Sequence, residues 1–383
     1  MKIFDRFFIH LTFLLFTLFS AGTAFGASSD IEIPLPAELT PALAYLLSLN
    51  RPDLPEPPDF DGRRIEPILK FIRSPKENGA LYYADASLGA SSAYHEVEIE
   101  NSLAQILQTV YNPRLTGALC SPNSMRLSYW TRVNDGQPSI SELREMLPRL
   151  ERPVIVRGVE HEEITPDAFT GAYYAYDVDR SIILFRRAGR NLLISLARQK
   201  DRSTVGKKGL ILGPDKDWNY VYTGEKGLDV FGLGWVSSYM FDSYSILIYD
   251  EMDTAVPRVK LAVFKWIRAG WKGINVVRRH HIFSGMKRHA SAFKPILEHL
   301  RVQAATELEA AVGDIRSQPL EALRRRTSHS FEALKSRLDR DHKSDGVKLA
   351  RVLTDTNYLE RLTRREMVSL LSVEYLKGLL GKL

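Results

Sequence analysis

Two serine–lysine pairs in one basic stretch have a spacing that can support nucleophilic chemistry. Ser284 precedes Lys287 and Ser291 precedes Lys294 by three residues, the spacing with which some exported acyl-transfer enzymes let lysine activate serine. The companion pattern of those enzymes has its nearest counterpart at Ser121 to Asn123, which comes before these pairs and so in the wrong order. We attribute the spacing to chance in a chain rich in serine and lysine.

Histidine and cysteine give weaker signals. His95 and His161 are each followed by glutamate, but neither has a second histidine four residues later, so the paired ligands of a zinc-protease helix are absent and no metal site is predicted. Cys120 is the single cysteine, which excludes an intramolecular disulfide. We predict a small buried hydrophobic residue there, since the sequence locates no base to activate the thiol.

A group of carboxylates follows the aromatic middle of the chain. Asp242, Asp250, Glu251 and Asp253 lie within a short stretch, and a pair of such groups would suit hydrolysis of a glycan. Their separation in space cannot be read from the sequence. An envelope hydrolase acting on a glycan or ester therefore stays open as an alternative function.

The same middle region is dense in tyrosine and tryptophan, whose apolar faces and polar tips suit a pocket for an amphipathic ligand. An ordinary aromatic core is the competing interpretation. The pocket candidates are Tyr174, Tyr176, Trp218, Tyr220, Tyr222, Trp235 and Tyr239, together with Gly270 and Gly285.

These residues need a scaffold, and residues 153–252 read as successive strands. Apolar and aromatic runs alternate with turn residues, for example at Asp177 to Asp179, Ala188 to Asn191 and Gly213 to Asp217. Turns this short favour antiparallel pairing, because a parallel crossover needs a dozen or more residues.

The basic stretch that follows is amphipathic when placed on a helical wheel. From Arg258 to Arg301 we predict a long helix with a possible break, whose apolar side, including Val263, Ile267 and Val277, lies on the sheet. Gly270 and Gly285 near the centre of that side would allow close backbone approach. The cations of the outer side are candidates for contact with a membrane surface: Lys265, Arg268, Lys272, Arg279 and Lys287.

The predicted fold class is α+β, a twisted antiparallel sheet packed by a long amphipathic C-terminal helix and followed by further helices. This order of elements resembles that of helix-grip lipid-binding domains. The likeness is one of architecture without a shared motif, and fold does not fix function. We divide the chain into a signal peptide (1–26), a proline-rich N-terminal arm (27–62), an α+β domain (63–301) and a helical C-terminal region (302–383).

The first residues predict export. A charged start, an apolar stretch from Phe7 to Phe19 and small residues up to Gly26 are typical of a secretory signal peptide, with cleavage expected after Gly26. Retention of the segment as an anchor is the alternative. We expect the protein in the periplasm or cell envelope.

The net charge of +6 is concentrated after Pro257, where basic residues clearly outnumber acidic ones, and the front of the chain is acidic. The basic part would attract the acidic front or an anionic membrane surface. We expect a non-enzymatic protein that binds or carries a lipid-like ligand between sheet and helix, with no cofactor and no nucleic-acid partner. Besides the hydrolase, a helical scaffold whose residues 365–380 dock a partner is an alternative.

Overall fold

The computed structural model describes residues 31–51, 59–84, 89–133, 140–230, 234–252, 255–300 and 302–382. The predicted signal peptide and Asp253 lie outside these residues. The strands are β1 (Glu32–Pro34), β2 (Leu81–Tyr83), β3 (Ser91–Ile99), β4 (Met125–Val133), β5 (Val154–Ile164), β6 (Ala172–Tyr173), β7 (Ala175–Arg187), β8 (Arg190–Gln199), β9 (Lys207–Ile211), β10 (Tyr220–Lys226), β11 (Leu228–Val230), β12 (Gly234–Val236), β13 (Tyr239–Glu251), β14 (Val259–Trp271) and β15 (Ile274–Asn275). The helices are α1 (Thr40–Ser48), α2 (Glu66–Arg73), α3 (Leu103–Val110), α4 (Leu143–Met146), α5 (Arg279–His299), α6 (Val302–Ser317), α7 (Leu320–Asp341), α8 (Lys343–Asp355), α9 (Tyr358–Arg361) and α10 (Arg364–Leu379).

The main sheet has the strand order β1-β2-β3-β14-β13-β8-β7-β5-β4, with β15 paired to β14. β1 and β2 run parallel, and the other pairs of this sheet are antiparallel. β7 and β8 are joined by Ala188 and Gly189, whose φ angles of 49° and 79° suit the two-residue turn that matches the twist of a hairpin. The antiparallel pairing predicted from short turns is confirmed.

Register assigns the side chains to two faces of the sheet, because directly opposed residues of an antiparallel pair project the same way. Ser245 on β13 lies opposite Lys265 on β14 and Ala197 on β8, and Ala197 lies opposite Arg180 on β7. We call the face that carries these residues the front face. Successive side chains of a strand point to opposite faces, so Ile246, the residue after Ser245, lies on the other face. We call that face the back face.

The back face is covered by the N-terminal helices. Leu46 of α1 and Ile68 of α2 are fully buried in one core cluster with Ile246 and Phe264 of the sheet. The proline-rich segment therefore contributes core side chains, and its helix begins at Thr40, followed by Pro41. With this cover the central strands are buried on both sides.

The front face is covered by α5. Ile282, Phe283 and Met286 of this helix pack against half-buried Val263 and Ile267 of β14. Nearer its end, Phe293 and Leu297 join a second front-face cluster, which also contains residues of α3. A largely antiparallel sheet packed by a long helix and followed by α6 to α10 confirms the predicted α+β fold class.

The predicted helix from Arg258 to Arg301 is wrong in its first half. Val259–Trp271 is a strand in the interior of the sheet, hydrogen-bonded to β13 on one side and β3 on the other. Lys272 and Gly273, with φ angles of 48° and 77°, turn the chain into β15. The helix begins only at Arg279.

The predicted role of the two glycines is also wrong. A Cβ on Gly270 would lie 2.1 Å from the carbonyl oxygen of Ile274, so this glycine permits the tight β14–β15 hairpin. A Cβ on Gly285 would meet no atom within 4 Å, and the residue is exposed on α5. Neither glycine brings a helix close to the sheet.

The C-terminal helices pack on the small sheet formed by β6, β9 and β10. Leu376 of α10 shares a cluster with Tyr220 and Tyr222 of β10, while Met367 and Leu371 of α10 are buried among α7, α8 and β10. The apolar side chains that the scaffold alternative assigned to a partner helix are therefore used within the chain. Among the described residues, no helix combines the length and apolarity needed to cross a membrane.

Candidate functional site: a polar and apolar cavity on the front face

A cavity of about 690 Å³ lies on the front face of the main sheet. Strands β4, β5, β7, β8, β13 and β14 supply its floor, and side chains of α5, α6 and α10 and of the segment 110–121 surround it. Its size falls within the range usual for small-molecule sites.

The floor is polar at one end and apolar at the other. Arg180, Ala197, Ser245 and Lys265 form a row across four strands, which we call the polar row. At the strand spacing of about 4.8 Å, the Cα atoms of its two cations are about 14 Å apart. The two small residues between them leave room above the sheet.

The apolar end begins one step along β13. Leu247 and Tyr249 follow Ser245 on the same face, at intervals of about 7 Å. The ring of Tyr249 packs edge-on against Tyr111, with centroids 6.0 Å apart, and Phe293 of α5 lines the same end. A ligand that bridges both ends would have to be amphipathic.

Arg180 is held by two glutamates of β5. Its guanidinium makes an ion pair with Glu160 and another with Glu162, the latter at 2.6 Å, and it donates to the hydroxyl of Ser195 at 3.0 Å. Burial raises the pKa of Glu160, and Arg180 opposes that rise. The pKa of Arg180 lies above its ordinary value, since the two carboxylates outweigh the effect of its burial. This guanidinium thus has its counter-charges within the protein.

Lys265 differs from Arg180 at the other end of the row. Within the described residues its ammonium has neither a hydrogen bond nor an ion pair, although it lines the cavity. Burial lowers its pKa, and the more distant Glu162 opposes this. The hydroxyls of Ser243 and Ser245 also line the cavity and likewise lack a hydrogen bond to any described residue.

His289 of α5 lies over the cavity floor near Lys265. Burial, together with the charge of Lys265 and with His95, lowers its pKa to about 4, so the imidazole is neutral near physiological pH. The ring stacks on Phe293 with centroids 4.9 Å apart. As a neutral ring it can donate or accept a hydrogen bond without adding charge.

One edge of the cavity is lined by exposed arginines of α6 and α10. Arg364 donates to the carbonyl oxygens of Arg316 and Gln318 at 2.7 and 2.6 Å, and the guanidinium of Arg365 lies 4.0 Å from the ring centroid of Tyr129. Because these side chains reach solvent, this edge is the opening of the cavity.

Of the aromatic pocket candidates with described side chains, Tyr176 lines the cavity. Tyr174, two residues earlier in the chain, is buried outside the cavity, and its hydroxyl is hydrogen-bonded to that of Ser238 at 3.0 Å. Tyr239 lies beneath Arg202, 4.3 Å from ring centroid to guanidinium carbon. Of Trp235, only the backbone in β12 is described.

The remaining aromatic candidates belong to the small sheet. Trp218, Tyr220 and Tyr222 are buried against the C-terminal helices, and the hydroxyl of Tyr220 donates to Asp215 at 2.7 Å. They are core residues outside the cavity, as the competing interpretation held. Gly270 and Gly285 do not line it either.

The cations predicted to share one outer helix face are separated. Lys265 is on a strand and points into the cavity, because β14 replaces the first half of the predicted helix. Arg268 pairs with Asp242 at 2.6 Å and Arg279 pairs with Glu32 at 2.6 Å. Lys272 is exposed in the β14–β15 turn, and exposed Lys287 lies over the ring of Phe283 at 4.5 Å.

The carboxylates considered for hydrolysis do not meet. Asp242 and Asp250 both belong to the back face and lie about 27 Å apart along β13. Asp250 is buried in an ion pair with Arg73 of α2 at 2.7 Å, and Glu251 accepts a hydrogen bond from Asn191 at 2.8 Å. Within the described residues, no group of three or more histidine, cysteine or acidic side chains is placed to hold a metal ion.

Apart from Lys265, the charged groups on the cavity floor are not predicted as a site by the sequence. Glu162 only follows His161, and Glu160 and Arg180 have no spacing typical of a motif. The available signal was alternation: Glu160 and Glu162 share one strand face, and a charged pair at that spacing in a buried strand needs an opposite charge on the adjoining strand.

Comparison with known proteins found no matching family model and no matching curated protein. Among solved structures, the chain is similar to the human StarD13 (DLC2) lipid transfer and protein localization domain, with 14% sequence identity and a TM-score of 0.28. The match covers 63% of this chain and 96% of that domain. A likeness this weak establishes neither a shared fold nor a shared ligand, so what the cavity can bind follows from its own residues.

Proposed function

We propose that the protein binds and carries an amphipathic small molecule in the front-face cavity. The observation that supports this most directly is the change along the floor from the polar row to Leu247 and Tyr249 within one cavity of about 690 Å³. Apolar cavities with a few convergent polar groups are typical ligand sites.

Native mass spectrometry of protein purified from its own host tests the proposal. We expect a co-purified amphiphile in the wild type and its loss in Ala197→Phe, because the added ring would fill the middle of the polar row. Val347→Phe adds a ring at a position that is 67% exposed and is the matched control. Equal ligand content in Ala197→Phe and wild type, with both folded, would contradict binding at this site.

We further propose that the carrier meets an anionic membrane with the tip that precedes α5. Ile274 and Val276 are exposed beside the turn that contains Lys272, and Phe169 is 60% exposed where its ring meets His281 of α5. Exposed apolar side chains next to a cation are what a membrane interface binds.

Flotation with anionic and neutral liposomes tests this contact. The double substitution Phe169→Ser and Ile274→Ser should reduce flotation with anionic liposomes, whereas Val347→Ser, another exposed apolar residue, should not. Unchanged flotation of the double variant would exclude the tip as the membrane contact.

Export to the periplasm or cell envelope is also a proposal, and it is supported by the sequence before Gly26 alone. The protein is expressed in its host, the cells are fractionated, and the N-terminus of the protein in each fraction is sequenced. Cleavage of the segment would give a new N-terminus at Ala27. An intact Met1 in a soluble cytoplasmic fraction would contradict it.

A further inference from the structure

Three hydrogen-bond donors without partners meet at the polar end of the cavity. They are the ammonium of Lys265 and the hydroxyls of Ser243 and Ser245, on the neighbouring strands β14 and β13. Within the described part of the chain none of them bonds to a protein group. Lys265 is half-buried in the cavity wall, and a cation that is partly removed from water without a counter-charge is disfavoured, so an acceptor bound in the cavity would complete this arrangement.

The nearby carboxylates do not supply that acceptor. Glu160 and Glu162 both pair with Arg180, and Glu162 acts on Lys265 only from beyond ion-pair distance. Burial raises the pKa of Glu160, and the charge of Arg180, its ion-pair partner, opposes that rise. His289 is neutral near physiological pH, and its pKa is lowered in part by Lys265 itself. The described groups around Lys265 therefore leave its charge without a partner of its own.

We infer that the ligand carries a carboxylate head, which accepts hydrogen bonds from Lys265, Ser243 and Ser245. This inference rests on the proposed function and names the chemical class of its ligand. The head lies above Ser245 in the polar row, and the tail runs over Leu247 toward Tyr249, where Phe293 and Tyr111 enclose it. Ala197 next to Ser245 leaves the space that the head occupies.

A competition experiment separates this inference from the proposed function. The full chain is loaded with the neutral fluorescent amphiphile N-phenylnaphthylamine, which is then displaced by laurate, dodecanol or dodecylamine. These three have the same tail and differ in the charge of the head. We expect laurate to bind at least about tenfold more tightly than dodecanol, since a hydrogen bond to a charged group contributes more than one to a neutral group, and dodecylamine to bind most weakly.

Substitution of Lys265 identifies the residue responsible. Lys265→Met keeps a long side chain and removes the charge, so laurate should lose its advantage while dodecanol still displaces the probe, which also shows that the variant is folded. Lys287→Met makes the same change on the outside of α5 and should leave the preference intact. Ser243→Ala with Ser245→Ala should weaken laurate binding and leave dodecanol binding nearly unchanged.

The outcomes are distinct. If laurate and dodecanol bind equally to the wild type, or if Lys265→Met retains the preference, amphiphile binding stands and the carboxylate inference is overturned. If neither the probe nor any of the three amphiphiles binds, the proposed function itself fails.

Discussion

Gly158 of β5 lies directly beneath the indole ring of Trp130 of β4. A Cβ at this position would come within 2.8 Å of the ring and 2.1 Å of the carbonyl oxygen of Arg132. The pairing of β4 with β5 shifts register between Trp130 and Arg132, and the missing side chain lets the two strands stay in contact at this irregularity. The outer part of the cavity floor depends on that contact.

Gly158→Ala should therefore destabilise the protein by about 1–3 kcal/mol, because neither the carbonyl oxygen nor the ring can move aside without disturbing the strand pair. Urea denaturation followed by circular dichroism measures this. Gly285→Ala is the matched control: a Cβ there meets nothing within 4 Å, so alanine in this helix should stabilise by about 0.5–1 kcal/mol. Destabilisation by Gly285→Ala would mean that α5 contacts the sheet at this residue after all.

Arg180→Met should destabilise the fold by about 3–5 kcal/mol, since it leaves Glu160 and Glu162 without their shared counter-charge in a confined site. Adding Glu160→Gln and Glu162→Gln to this variant should recover much of the loss, because the buried charges are then gone. The same denaturation experiment measures both. If the triple variant is no more stable than Arg180→Met alone, the ion pairs are not the source of the effect.

His289 should make stability depend on pH between about 6.5 and about 4. Its pKa in the fold, about 4, lies below its ordinary value of 6.5, so above 6.5 both folded and unfolded chains carry it neutral and it contributes nothing. As the pH falls below 6.5 the unfolded chain binds a proton first, and stability falls by at most about 1.4 kcal/mol per pH unit.

The comparison of wild type with His289→Gln isolates this contribution from those of other groups. As the pH falls through this range, the unfolding free energy of the wild type should decrease relative to that of the variant, because only the wild type carries the histidine that the unfolded chain protonates first. The pKa of His289 depends on Lys265 and His95, so Lys265→Met should raise it. Parallel curves for wild type and His289→Gln would exclude the effect.

Cys120 should be unreactive in the folded protein. It is buried, and burial raises the pKa of its thiol to about 12, so almost no thiolate forms at mildly alkaline pH. Reaction with Ellman's reagent should be very slow without denaturant and complete in its presence. Fast labelling of the folded chain would show that the reagent reaches the cavity wall formed by the segment 110–121, which contains Cys120.

The sequence predicted the antiparallel middle of the fold well because its signals are local. Ala188 and Gly189 end one strand and begin the next within two residues, and strands flanking such a turn have little choice of register. The burial of Cys120 was likewise predictable from the sequence, because cysteine is among the residue types most often found in protein interiors.

β14 was mistaken for a helix because both of its faces are buried. A strand covered on two sides loses the alternation of apolar and polar residues that identifies a strand at a surface, and its cations Lys265 and Arg268 fall by chance on one side of a helical wheel. Valine, phenylalanine, tryptophan and isoleucine between Val259 and Ile267, and the turn at Lys272 and Gly273, were the signals in favour of a strand. The cavity could not be foreseen, since Glu162, Ser245 and Lys265 are distant in the sequence and adjacent only through pairing.

The position of β14 between β3 and β13 has a consequence for how the chain is made. β3 ends at Ile99. The strand that pairs with it, β14, begins at Val259 and is therefore synthesised some 160 residues later. Contacts so distant in sequence slow folding, and a nascent chain emerging from the ribosome cannot complete this sheet until most of it has been translated. Delayed closure of this kind keeps the polypeptide unfolded for longer, as the proposed export through a translocation channel would require.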